Sequence, residues 1–218
     1  MRVFRFGDPV GPLRDLLARG GILAIPTESS YGLAADPRNP EGVGAIYRIK
    51  EREAGKPLLV VVSGREQLAG LGVDPNLYIV ERLLALWPAP LTAVLPIERP
   101  LPASAGTRTL AVRIPEHPEL RALLDDIGHG LTATSANRSG GEPILEPGEV
   151  AVLLAGEDAI VVDGGTLPGG APSTLVAIEE GGLKVLRTGR FPAERLLEEF
   201  GRSAVRRAIP DRPTGEEA

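Results

Sequence analysis

Four short polar clusters stand at the ends of apolar runs, and they hold most of the side chains that could do chemistry. The first is Pro26-Thr27-Glu28-Ser29-Ser30-Tyr31-Gly32-Leu33, where hydroxyls and a carboxylate crowd together just after an apolar stretch. Short donors and acceptors on a rigid edge suit a small polar ligand, and the same residues would equally serve as a polar turn. The second is Lys50-Glu51-Arg52 followed by Lys56-Pro57-Leu58, which puts three cations within seven residues. Arg52 and Lys56 could grip phosphates through charge-assisted hydrogen bonds; a solvated helix end would also account for them. The third sets Arg113 inside the run Thr109-Leu110-Ala111-Val112-Arg113-Ile114-Pro115. On a strand, Arg113 points away from the face used by Val112 and Ile114. A cleft on that side would make it a carboxylate clamp, and open solvent an ordinary surface arginine.

The fourth cluster runs from Thr132 through Ser135-Ala136-Asn137-Arg138-Ser139 to Gly140-Gly141. Its hydroxyls, amide and glycines could cradle an anion or form a plain turn. It is neither a Walker A loop nor a Gly-x-Gly-x-x-Gly loop. Gly164-Gly165, Gly169-Gly170, Ser173-Thr174-Leu175 and Leu186-Arg187-Thr188-Gly189 follow. Their glycines read first as loop formers and second as places where a ligand approaches the backbone.

Composition removes other chemistries. The chain has no cysteine, so disulfides, thiolate metal sites and cysteine nucleophiles are excluded. Its two histidines, His117 and His129, argue against a His-based triad or a two-histidine zinc pair. A net charge of −5 gives no global field that would attract nucleic acid, although a basic patch inside a cleft is compatible with it. The 218 residues suffice for one domain with a substantial core. No apolar run approaches the ~20 residues that span a bilayer, and Met1-Arg2-Val3-Phe4-Arg5 lacks a signal-peptide core. The expected location is the cytoplasm.

Alternating apolar segments must position these clusters. Helices are expected over Pro12 to Arg19, Pro40 to Lys50, Asn76 to Leu86, His117 to Asp125, Pro147 to Leu154 and Pro192 to Phe200. Strands are expected over Ile22 to Ile25, Leu58 to Val62, Leu91 to Leu95, Thr109 to Ile114, Gly130 to Thr134 and Ala159 to Val162. Ser173 to Ile178 and Gly182 to Arg187 read as a hairpin about Glu180-Gly181, which makes the sheet mixed. The class is α/β. Four clusters at strand ends is the arrangement in which open α/β sheets hold ligands. Arg202, Arg206 and Arg207 are spaced as one helical face, and the polar segment from about Pro210 reads as disordered.

Taken in order, these motifs resemble the TsaC/YrdC family of threonylcarbamoyl-adenylate synthases, over about residues 8 to 191. The matching pieces are Pro26-Thr27-Glu28-Ser29 with Tyr31-Gly32-Leu33, Lys50-x-Arg52 with Lys56-Pro57-Leu58, and Trp87-Pro88-x-Pro90-Leu91-Thr92. They continue through Val112-Arg113-Ile114-Pro115, Ser135-Ala136-Asn137-x-Ser139-Gly140, Ser173-Thr174 and Leu186-Arg187-x-Gly189.

The resemblance implies a twisted mixed sheet with flanking helices and a deep basic cleft. It implies one catalytic domain over residues 1–200 and a partly disordered tail over 201–218. Lys50, Arg52, Ser135 and Asn137 match the family's catalytic tetrad. By the same carry-over Arg52, Lys56, Thr109, Ser135 and Arg187 face ATP, and Ser29, Arg113 and Ser173 face threonine. The implied activity is a nucleotidyltransferase that forms threonylcarbamoyl-AMP and pyrophosphate from ATP, L-threonine and bicarbonate. Mg2+ is carried mainly by ATP, and the product passes to the tRNA threonylcarbamoyl transferase complex. The alternatives are an RNA-binding relative without synthase activity and a carbamoyl-transfer module like those in hydrogenase-maturation proteins. Ser29 stands where the family usually has threonine, Ala89 where it has glycine and Thr134 where it has proline. Val61 takes a place often filled by histidine, and so is expected to lose a threonine contact.

Overall fold

In chain order, the computed structural model contains β1 (Arg2–Arg5), α1 (Gly11–Ala18), β2 (Ile22–Pro26), β3 (Tyr31–Ala34), α2 (Pro40–Lys50), β4 (Val60–Val61), α3 (Arg65–Gly70) and α4 (Tyr78–Leu86). β5 (Leu91–Pro96), β6 (Thr109–Arg113), α5 (Pro118–Ile127), β7 (Leu131–Thr132), β8 (Thr134–Ser135) and α6 (Pro147–Leu153) follow. The last elements are β9 (Ala159–Asp163), β10 (Thr174–Glu179), β11 (Gly182–Arg187), α7 (Ala193–Phe200) and β12 (Val205–Arg207). The described residues are 2–53, 55–179 and 182–207. No helix among them is long and apolar enough to cross a membrane.

Local chemistry sets where the helices start and stop. Asn39 caps α2: its Oδ1 accepts from the N–H groups of Glu41 at 2.9 Å and Gly42 at 3.3 Å. Pro40 occupies the first turn, where a missing N–H costs nothing. At the other end Glu51 enters the left-handed region, with φ 50, and stops the helix. That stop leaves Lys50 in the last turn and Arg52 just beyond it. His117 caps α5 by accepting from the Leu120 N–H at 3.3 Å, and Gly128, with φ 92, closes it. One of the two histidines thus has a structural task.

The mixed α/β class holds, and the strands divide into two sheets of order β1-β9-β2-β3-β8 and β12-β11-β10-β5-β6-β4-β7. β1, β9 and β2 run parallel, and β3 and β8 are antiparallel additions. In the larger sheet β10 is parallel to β5 and antiparallel to β11, as the expected hairpin requires. The chain steps from one sheet to the other at Ala133. Leu131 and Thr132 pair with β4, while Thr134 and Ser135 pair with β3. The single strand expected over 130–134 is therefore two. The corner is pinned by Thr132 Oγ1, which accepts from the Ala35 N–H at 2.9 Å, and by the Ala133 N–H, which donates to the Leu59 carbonyl at 2.8 Å.

Two apolar clusters fill the layers. One joins Leu13, Leu16 and Leu17 of α1 to Leu23, Ile25, Leu120, Leu124 and Ile160; the other surrounds β4, β5, β6 and α4. Full burial of each leucine contributes roughly 1.5–3 kcal/mol. Val61 belongs to the first cluster with no exposed surface. It lines neither of the two cavities that Arg52 borders, and the backbone turns its side chain into the core. The spacing of Arg202, Arg206 and Arg207 misled. Residues Arg202–Ala204 form a 3₁₀ turn, and β12 pairs parallel to β11. The Glu180-Gly181 turn and the segment from Pro210 onward lie outside the described residues.

Candidate active site

The end of α2 and the loop after β8 meet through one buried lysine. Lys50 is 3% exposed. Its Nζ donates to the Ser135 carbonyl, to the Asn137 carbonyl at 2.9 Å and to Asn137 Oδ1 at 3.0 Å. Ser135 Oγ donates to the same Oδ1 at 2.6 Å, and the Asn137 amide donates to the Gly141 carbonyl at 2.6 Å. The Ser139 N–H closes the ring on the Lys50 carbonyl at 2.8 Å. Burial, and then the charge of Arg52, pull the Lys50 ammonium down to about 8. Its three carbonyl acceptors favour the charged form, so the group is an ammonium at neutral pH.

A cavity of about 480 Å³ opens between the two sheets. Ser29 and Ser30 from the β2–β3 turn line one side, with Thr134 and Ser135 from β8. Thr92 of β5, Ala111 and Arg113 of β6, Ser173 and Leu175 at β10, and Arg187 of β11 line the other. Its lining carries three arginines, Arg52, Arg113 and Arg187, and no carboxylate. A neighbouring hollow of about 380 Å³ holds Lys50, Lys56 and Asn137 and shares Arg52, Thr134 and Ser135. The Nε atoms of Arg52 and Arg113 are buried with no acceptor. A buried donor left unpaired costs about 1–3 kcal/mol, and an anion in the cavity would recover that cost.

Each expected residue has a definite place. Arg52 Nη2 donates to the Pro57 carbonyl at 3.2 Å. Lys56 is exposed and pairs with Glu53 at 2.9 Å. Ser173 Oγ shares a 2.7 Å hydrogen bond with Thr92 Oγ1, and its carbonyl accepts from Arg187 Nη2 at 3.0 Å. Arg113 is a buried side chain paired with Glu28 at 3.1 Å. Burial lowers its pKa, opposed by the charge of Glu28. Thr109 is the outlier. It sits exposed at the start of β6, beside Thr107 at 3.3 Å, and lines neither cavity. Thr92 and Glu28 were not singled out from sequence. Both lie in quoted motifs, yet their partners, Ser173 and Arg113, are remote in the chain.

A separate hollow of about 510 Å³ lies near Arg38, Arg65 and His129. Arg38 pairs with Asp36 at 2.9 Å and Arg65 with Glu81 at 3.5 Å. With its cations already matched, it is the weaker candidate for an anionic ligand. Among the described residues, no group of three His, Cys, Asp or Glu could hold a metal ion.

This geometry has relatives. The family model described as "Telomere recombination" (Sua5/yciO/yrdC) matches residues 15–189. The chain is 36% identical over 177 residues to the threonylcarbamoyl-AMP synthase of Thiobacillus denitrificans, covering 80% of this chain and 93% of that one. It is 30% identical to P. abyssi Sua5 complexed with L-threonine, with a TM-score of 0.78. That match covers 89% of this chain and 58% of the other, so this chain spans less than two thirds of that relative. E. coli YCIO shares the fold with a TM-score of 0.74 at 22% identity, over 91% of this chain and 98% of its own. With a family model spanning most of the folded residues, the chain belongs to the Sua5/YciO/YrdC family.

Proposed function

We propose that this protein is an L-threonylcarbamoyladenylate synthase, a cytoplasmic nucleotidyltransferase that supplies threonylcarbamoyl-AMP for tRNA modification. The observation that carries the reading is the cavity with three arginines, a row of hydroxyls and no carboxylate, beside the Lys50–Ser135–Asn137 cluster. Such a site suits two anions at once, a nucleotide triphosphate and an amino-acid carboxylate. A relative, P. abyssi Sua5, has been solved in complex with L-threonine, which supports threonine as a substrate.

Arg52, Lys56, Ser135 and Arg187 take the nucleotide, while Thr109, exposed at the start of β6 and outside both cavities, has no place in this assignment. Ser29, Arg113 and Ser173 take threonine. Lys50 and Asn137 hold Ser135 in place. The threonine amine first attacks the carbon of bicarbonate, giving a carbamate and water. A carbamate oxygen then attacks the α-phosphorus, the bond to the β-phosphate breaks, and pyrophosphate leaves. No protein nucleophile takes part. The side chains position the two substrates and stabilise negative charge that builds on the phosphates. Mg2+ enters as part of the MgATP substrate, held by phosphate oxygens and water, which suits a cavity without lining carboxylates. The catalytic unit comprises residues 1–200, and β12 (Val205–Arg207) extends its larger sheet past that boundary. The product is a reactive mixed anhydride, so hand-over to the tRNA threonylcarbamoyl transferase complex follows.

The test is product identity. ATP, L-threonine and 13C-bicarbonate should yield a labelled threonylcarbamoyl-AMP by mass spectrometry. Labelled adduct absent under conditions where ATP binds would overturn the reading in favour of a binding protein with the same cavity.

A further inference from the structure

One buried carboxylate has no task in the chemistry above. Glu28 has a side chain only 9% exposed, matching the 9% of Arg113. Its Oε2 lies 3.1 Å from Arg113 Nη1. Its Oε1 accepts from the Glu116 N–H at 2.6 Å, and its backbone carbonyl accepts from Arg190 Nη1 at 3.2 Å. Arg113 lines the cavity and Glu28 does not, so the carboxylate meets the guanidinium as an ion pair outside the lining, with its Oε2 making no hydrogen bond. The Arg113 Nε has no partner.

The cavity poses a sorting problem. Its other two arginines, Arg52 and Arg187, carry no ion pair among the described residues, and all three would attract a polyphosphate. Attraction grows with the charge of the ligand, so a bare Arg113 would favour the triphosphate over a singly charged carboxylate. A fixed negative charge beside Arg113 reverses that preference. It offsets the charge of Arg113 while leaving the guanidinium Nε without a protein partner, and directed donors suffice for a planar carboxylate.

We propose that Glu28 is a specificity-determining residue: by neutralising and orienting Arg113 it reserves that end of the cavity for a carboxylate and keeps polyphosphate out. The inference rests on the assignment of Arg113 to threonine made above. The test is steady-state inhibition of the full-length protein by inorganic tripolyphosphate, with pyrophosphate or AMP-adduct formation as the readout. In wild type, tripolyphosphate competes with ATP and not with threonine. In Glu28→Gln, which keeps an acceptor for the Glu116 N–H and loses the charge, tripolyphosphate becomes competitive with threonine, and its inhibition constant against threonine falls roughly tenfold or more. Glu28→Asp keeps the charge, so tripolyphosphate stays non-competitive with threonine even where the shorter side chain raises the threonine KM. A purely structural role would weaken threonine in Glu28→Gln without creating the competition, and that result overturns the proposal. Should Glu28→Gln not fold, Glu28→Asp decides: competition between tripolyphosphate and threonine in that variant overturns it. A wild-type protein with no threonine-dependent turnover would overturn the synthase reading itself, and this inference with it.

Discussion

On the proposed assignment, Lys50 is the residue on which the nucleotide end depends. Its three contacts to Ser135 and Asn137 need a charged ammonium, and burial has already drawn that group down to about 8. As pH rises through about 8 the free protein loses a donor and a positive charge beside Arg52, so ATP affinity should fall across pH 7 to 9 when followed by calorimetry. Lys50→Met should bind ATP weakly throughout, with that pH step gone; a wild-type affinity flat over this range would contradict the assignment. The same shift acts oppositely on stability. Between about 8 and the ordinary lysine value the unfolded chain binds more protons than the folded one, so the contribution of Lys50 to stability rises with pH there.

On the same proposed assignment the arginines separate the two substrates. Arg52→Ala removes a charge-assisted contact worth about 1.5–3 kcal/mol, so ATP should bind roughly tenfold to a hundredfold more weakly. Arg113→Ala should weaken threonine by a similar factor and leave ATP nearly unchanged. Paired calorimetric titrations check both, and a reversed pattern would mean that the substrate ends are exchanged. Most of these residues were legible in the sequence because cations and hydroxyls in short runs beside apolar strands stand out. The pairings of Glu28 with Arg113 and of Thr92 with Ser173 were not. Each depends on a neighbour brought in by pairing of remote strands, and a local pattern carries no trace of it.

Elements turn these side chains into a site. Asn39 joins two helices: its Oδ1 caps α2, and its Nδ2 donates to the Ala18 carbonyl of α1 at 3.3 Å. Asn39→Ala should therefore cost about 1 kcal/mol of stability, visible in denaturant unfolding. ATP affinity should hold, because Lys50 sits at the far end of the helix. Gly189 is constrained by space: a Cβ there would lie 2.2 Å from the Pro172 carbonyl oxygen and 2.5 Å from the Ser173 carbonyl carbon. Both atoms are backbone and cannot rotate away. Gly189→Ala should displace Ser173 and Arg187 together and weaken both substrates, whereas an effect on one alone would mean that the two do not move as a unit.

The same elements show why sequence patterns read some segments and not others. Long helices with regular apolar spacing, such as α4 and α5, and apolar strands such as β2, β5 and β9 fall near their expected places. β1 and β12 are short, arginine-bearing edge strands whose partners are parallel and not adjacent in a hairpin. β3 carries Gly32 in a run of only four residues and exists because β2 and β8 flank it. α3 buries only Leu68, too little for a helical period to show.

For the whole molecule, what matters is that the chain forms two sheets and puts the cavity between them. Serines and threonines of the smaller sheet face arginines and hydroxyls of the larger one, and the step at Ala133 fixes one against the other. On the proposed assignment each substrate end draws on both sheets, Ser29 with Arg113 and Ser173 for threonine and Ser135 with Arg187 for the nucleotide. A sequence read strand by strand gives a mixed sheet, and the division appears only when Thr132 and Thr134 are seen to pair with different partners. The overall charge of −5 likewise hides a cavity lined by cations without carboxylates. This is local electrostatics of the kind a net charge cannot report.

Pyrophosphate release by the purified protein, with threonine and bicarbonate each present or withheld, tests the central claim most directly. Release from ATP that requires both is the predicted result. Release that is indifferent to threonine, or none at all with ATP bound, would contradict it.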